Sequence, residues 1–205
     1  MNRVDTIQAI LNRLFPHPPA SLWYSSDYTL LIAVLLSAQC TDKRVNAVTP
    51  ELFAKGGTPE QMVHLSEETI REIIRPCGLS RTKARAIKNL SKILIEKYQG
   101  KIPQTIEALE TLPGVGHKTA SVVGINALGI PAFPVDTHIH RCAKRWGLSN
   151  GKSVRQTEKD LMALFPQSSW KETHLQIIYY AREYCPAKGH TIEACPICDA
   201  LKDFA

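Results

Sequence analysis

No stretch of this 205-residue chain is apolar for long enough to cross a bilayer: the longest clean run, residues 30–36, falls well short of the roughly 20 residues that a spanning helix needs. The opening segment Met1-Asn2-Arg3-Val4-Asp5-Thr6-Ile7 lacks the apolar core of an export signal, so the expectation is a cytoplasmic protein. No convincing apolar–polar alternation marks a strand, and neither low-complexity tracts nor a long-period repeat point to a linker or a solenoid. Six cysteines in a chain without an export signal argue against a disulfide framework. Cys40, Cys77 and Cys142 are scattered among apolar or helical neighbours and read as small buried hydrophobes.

What the chain has in quantity is helical periodicity. Val4, Ile7, Ile10, Leu11 and Leu14 recur at helix spacing, as do Ala84, Ile87, Leu90, Leu94 and Tyr98. Proline and glycine punctuation cuts the sequence into roughly ten such segments, and the predicted fold class is all-α. The formal charge of +6 and pI near 9.0 suit a polyanionic partner but would equally suit an ordinary basic enzyme.

Two motifs carry chemistry. The first is Leu112-Pro113-Gly114-Val115-Gly116-His117-Lys118-Thr119-Ala120. Its Gly-x-Gly turn leaves backbone N–H groups at a helix start, where Gly114, Gly116, His117 and Thr119 are candidate phosphate or DNA contacts. Lys118 sits in the first turn of the following helix. A lysine attacks only as the neutral amine, and at the reference pKa near 10.4 only about one in 2,500 is neutral at pH 7, so a lysine nucleophile needs activation by its surroundings. The second motif is Val135-Asp136-Thr137-His138-Ile139-His140-Arg141, in which Asp136 occupies a helix N-cap position that keeps a carboxylate ionised. Taken singly, each residue is more often a solvated lysine or a plain cap.

These motifs, with Leu35-Leu36-Ser37-Ala38-Gln39-Cys40-Thr41-Asp42, Gly78-Leu79 and Cys195-Pro196-Ile197-Cys198 in the same order and approximate spacing, resemble the endonuclease III family of helix-hairpin-helix DNA glycosylases over nearly the whole chain. The resemblance implies a two-lobed all-α fold with a DNA-binding cleft between the lobes. One lobe would be a six-helix block at 22–130 that includes the helix-hairpin-helix at about 105–128. The other would join 1–21 to 131–205, with a cysteine-rich loop at 185–198. It further implies a monomeric DNA glycosylase with AP lyase activity, acting on double-stranded DNA that carries oxidised pyrimidines or abasic sites. Lys118 would be its Schiff-base nucleophile and Asp136 the assisting carboxylate. A monofunctional adenine-type glycosylase and a catalytically silent DNA-binding module are the alternatives, and retention of both residues argues against them.

By the same resemblance Gln39 and Leu79 fill the gap left by a flipped nucleotide; on the residues alone they read as a helix C-cap and a core side chain. Arg81 and Lys83 would contact DNA, and Arg81, Arg85, Lys88 and Lys92 share the spacing of one helical stripe. The family's cluster loop has four cysteines around a [4Fe–4S] cluster, with six residues between the first two. Here nine residues separate Cys185 from Cys195, and the fourth position is Phe204. Cys185, Cys195 and Cys198, with His190 as a candidate fourth donor, leave open a three-cysteine or histidine-assisted cluster, a zinc site, or a loop without metal.

Overall fold

The computed structural model describes residues 2–202 and 204, and among them there are helices and turns but no strand. The helices are α1 Arg3–Leu14, α2 Asp27–Leu36, α3 Asp42–Gly56, α4 Pro59–His64, α5 Glu67–Ile74, α6 Ser80–Tyr98, α7 Ile106–Glu110, α8 His117–Val123, α9 Thr137–Arg145, α10 Val154–Leu164, α11 Trp170–Glu183 and α12 Pro196–Ala200. Short pieces such as α4, α7 and α12 bring the number above the roughly ten expected. None of the described helices is long and apolar enough to cross a membrane.

Most helix starts follow the local rule for orphan N–H groups. Asn2, Ser26, Thr41, Thr58, Ser66, Thr105, Asp136 and Ser153 each accept a hydrogen bond from the backbone of the following turn. The chain divides into two compact units, one spanning Ser21–Ile130 and the other combining Met1–Ala20 with Pro131–Ala205.

In the first unit, α2 is the central helix. Its sequence Asp-Tyr-Thr-Leu-Leu-Ile-Ala-Val-Leu-Leu is apolar all round, and every residue from Tyr28 to Leu36 is buried. The same core holds Val45 and Leu52 of α3, Ile70 and Ile74 of α5, Ile87, Leu90 and Leu94 of α6, and Ala120 and Val123 of α8.

The second unit is organised by α11. Tyr180 stacks edge-on against Trp146 at a centroid distance of 5.5 Å. The fully buried Gln176 ties α11 to α1, donating to Asn12 Oδ1 and to the Phe15 carbonyl at 3.0 Å each and accepting from Gln8 Nε2 at 3.0 Å. A buried amide is tolerated there because its donors and acceptor are matched.

Candidate functional site

The first motif folds as a helix, a glycine turn and a second helix. Leu112 and Val115 are buried and anchor the turn. Gly114 between them has φ +78°, and a Cβ there would lie 2.9 Å from Ala86 Cβ and 3.0 Å from Leu35 Cδ1, so both backbone conformation and close packing demand glycine. Gly116 is the N-cap of α8 in extended conformation, without a side-chain cap. It is exposed, and Lys118 after it is exposed as well. His117 turns back across the turn, its Nδ1 2.5 Å from Glu110 Oε1 at the end of α7. Thr119 lies in the first turn of α8 and is buried.

Asp136 caps α9 as the sequence suggests. Oδ1 accepts from the backbone N–H of His138 and of Ile139 at 2.9 Å each, and Oδ2 lies 2.9 Å from His138 Nδ1. The side chain is only 13% exposed, so these bonds hold the carboxylate in one orientation. His138 stands two positions beyond the cap, from where its ring reaches back to the carboxylate. His140 points to Thr157 Oγ1 at 2.9 Å instead.

Gln39 and Leu79 are both exposed and both left-handed, with φ +54° and +49°. Leu79 is 58% exposed, which removes the core reading, and the C-cap of α2 is Ser37 rather than Gln39. A left-handed conformation costs a non-glycine residue about 1–2 kcal/mol and persists only where neighbouring structure imposes it.

Close to both residues lies Lys83. Read from sequence as a DNA contact, Lys83 is instead 5% exposed, and its ammonium donates to the carbonyls of Leu36 at 2.8 Å, Ala38 at 2.8 Å and Cys77 at 3.1 Å. Three carbonyl acceptors and burial leave this amine no phosphate to meet. It ties the segment carrying Gln39 to the turn carrying Leu79. Desolvation pulls its pKa below the usual lysine value, an effect the nearby Cys40 and Cys77 oppose.

The expected basic stripe is mixed. Arg81, Arg85 and Lys92 are exposed, whereas Lys88 donates to the Leu65 carbonyl at 2.5 Å and Arg85 stands 4.0 Å from Glu67. Arg81 is therefore more open to solvent than Lys88.

Cys185, His190, Cys195 and Cys198 form a group compatible with a metal site. One donor atom from each lies within 4.8 Å of all the others. Cys185 follows α11, and Cys195 and Cys198 bracket the start of α12. Arg145 Nη1 donates to Cys185 Sγ at 3.1 Å, and the Tyr180 hydroxyl lies 3.3 Å from Cys195 Sγ while accepting from Ile197 N–H at 2.8 Å. Arg145 and Tyr180 carried no signal in the sequence, since each lies on a helix remote from the Cys-x-x-Cys.

Residues 32–167 match the model of the HhH-GPD superfamily of base excision DNA repair proteins. Endonuclease III of Bacillus subtilis (strain 168) is 42% identical over 93% of this chain and 87% of its own length. Endonuclease III of Treponema pallidum (strain Nichols) is 45% identical over 90% of this chain and 87% of its own. A solved structure of a trapped endonuclease III–DNA covalent intermediate superposes with a TM-score of 0.90 at 41% identity, covering 96% of this chain and 94% of that one. With the glycine hairpin, the capped aspartate and the paired left-handed residues in place, and with likeness extending over nine-tenths of the sequence, the chain belongs to the endonuclease III family of helix-hairpin-helix base excision repair proteins.

Proposed function

We propose that Lys118 is the nucleophile and Asp136 the assisting carboxylate of this DNA glycosylase and AP lyase, and that its substrates are oxidised pyrimidines in duplex DNA. The glycosylase and lyase activities belong to the family. The observation that carries the residue assignment is an exposed lysine two residues beyond the glycine that starts its helix without a side-chain cap, in a chain similar to an enzyme trapped covalently on DNA.

In this reading the neutral Nζ of Lys118 bonds to C1′ as the C1′–N glycosidic bond breaks, and the base leaves with the electron pair. Asp136, ionised and held by its cap, stabilises the positive charge that builds at C1′ and accepts the proton that the amine must lose. The sugar ring opens to a Schiff base. Removal of a C2′ proton then expels the 3′ phosphate and nicks the strand, and water releases the lysine. Gln39 and Leu79 occupy the gap left by the flipped nucleotide, while Gly114, Gly116, His117 and Arg81 contact the backbone. Ser21–Ile130 is the lobe that carries the hairpin, and the remainder carries Asp136.

The [4Fe–4S] cluster of the family calls for a fourth cysteine at the place of Phe204. The donors present are three cysteines and a histidine drawn close together. They do not fit a four-iron cluster, and no step is assigned to one.

Borohydride trapping on a duplex containing thymine glycol tests the assignment, with Lys118→Gln alongside. A covalent band from the unaltered protein alone is expected. Equal trapping by the variant would overturn Lys118 as nucleophile, and no band despite DNA binding would favour a monofunctional glycosylase.

A further inference from the structure

We propose that the C-terminal segment binds a single zinc ion through Cys185, His190, Cys195 and Cys198, in place of the family's four-iron cluster. Four observations carry this, and none depends on the reaction mechanism.

The first is size. Donors around one tetrahedral zinc, with Zn–S near 2.3 Å and Zn–N near 2.0 Å, lie about 3.5–3.8 Å from one another. Thiolates on four different irons of a cubane surround a cage of iron and sulfide and stand on the order of 6 Å apart. Here all four donor atoms lie within 4.8 Å of one another, a spacing that closes on one ion and leaves no interior for a cage.

The second is the donor set. Three thiolates and an imidazole are a common structural zinc set, closed to water. The long gap between Cys185 and Cys195 places His190 midway, and the imidazole supplies the donor that Phe204 cannot.

The third is an orphan atom. His190 Nε2 is buried and has no hydrogen-bond partner. Buried polar atoms in folded proteins are nearly always satisfied, and a metal ion satisfies this one.

The fourth is the surroundings. Zinc with three thiolates carries a net negative charge. Arg145 Nη1 at 3.1 Å from Cys185 Sγ and the Tyr180 hydroxyl at 3.3 Å from Cys195 Sγ supply the outer hydrogen bonds and charge that such a centre needs. The ion closes residues 185–198 into a loop and fixes α12, whose five residues are too few to hold as an isolated helix.

The test is metal analysis of the full chain, produced in iron-replete medium and purified without oxygen. One zinc per chain, no acid-labile sulfide and no visible iron–sulfur absorption are expected. Iron with sulfide in a four-to-four ratio would overturn the proposal, as would a metal-free protein. His190→Ala should bind zinc at least tenfold more weakly in competition with a chromogenic chelator, and His190→Cys should retain it; undiminished affinity in His190→Ala overturns the ligand set. Should His190→Ala fail to fold, cobalt exchanged into the unaltered protein decides. Strong tetrahedral d–d bands with thiolate charge transfer are expected, and weak octahedral bands would overturn the assignment.

Discussion

The ammonium of Lys83 lies 2.8 Å from the carbonyl oxygen of Ala38, the residue before Gln39. The same ammonium reaches Cys77, two residues before Leu79. One buried cation thus joins the two segments that carry these exposed, left-handed residues. Lys83→Met keeps the apolar stem but strands the carbonyls, and is expected to cost about 2–4 kcal/mol of stability. Well below its melting temperature it should bind damaged duplex more weakly, with the slope of log K against log salt unchanged. A phosphate-contacting lysine would lower that slope by about one unit, so a changed slope would return Lys83 to the DNA surface.

Substitution of Leu79 should leave stability nearly unchanged. It packs little, being 58% exposed, and glycine accepts φ +49° without strain. Leu79→Gly is therefore expected to melt within about 1 kcal/mol of the unaltered protein, relief of strain offsetting the looser unfolded chain. Excision from duplex DNA should fall about tenfold or more if Leu79 fills the vacated space. Undiminished excision would remove it from that role.

Asp136→Asn separates cap from charge. The side-chain oxygen of asparagine still accepts from His138 and Ile139, and asparagine is itself a good N-cap, so the loss of stability should stay near or below about 1 kcal/mol. Turnover should drop by about a hundredfold or more, since a neutral amide neither takes a proton nor stabilises a cation. Similar turnover in a well-folded variant would leave Asp136 as a cap and nothing more.

Burial, reinforced by the neighbouring Cys40, pushes the Cys77 thiol up from 9.0 to about 11. Between those values the folded chain keeps a proton that the unfolded chain has lost. This contribution to stability is complete below pH 9 and disappears as the pH rises through about 11. Melting temperature should fall more steeply across that window for the unaltered protein than for Cys77→Ala. Lys83, its pKa lowered by burial and partly restored by Cys77, acts with the opposite sign, so the difference between the two curves reads the thiol together with its coupling to Lys83. Parallel curves would remove the effect.

The helices around Val4–Leu14 spacing and Ala84–Tyr98 spacing, the cap at Asp136 and the glycine turn at Gly114 were legible because each follows from local rules: a 3.6-residue period, an orphan N–H, a positive φ. The resemblance, carried by contiguous motifs, located Lys118 and the cysteine segment in the same way. Lys83 was misread because sequence marks a side chain as charged but not the direction it takes. Only packing turned one ammonium onto three carbonyls. Burial of α2 from Tyr28 to Leu36, the convergence of Arg145 and Tyr180 on the cysteine sulfurs and the approach of His190 to them join residues far apart in the chain. Such joins depend on which helix faces the core best exclude from water, a property of the assembled chain rather than of any segment. Sequence by itself determined the local chemistry, an amine beside a glycine turn, a capped carboxylate and thiols at metal-ligand spacing; tertiary structure decided which of these groups face solvent, which are spent holding others, and how closely the metal donors gather.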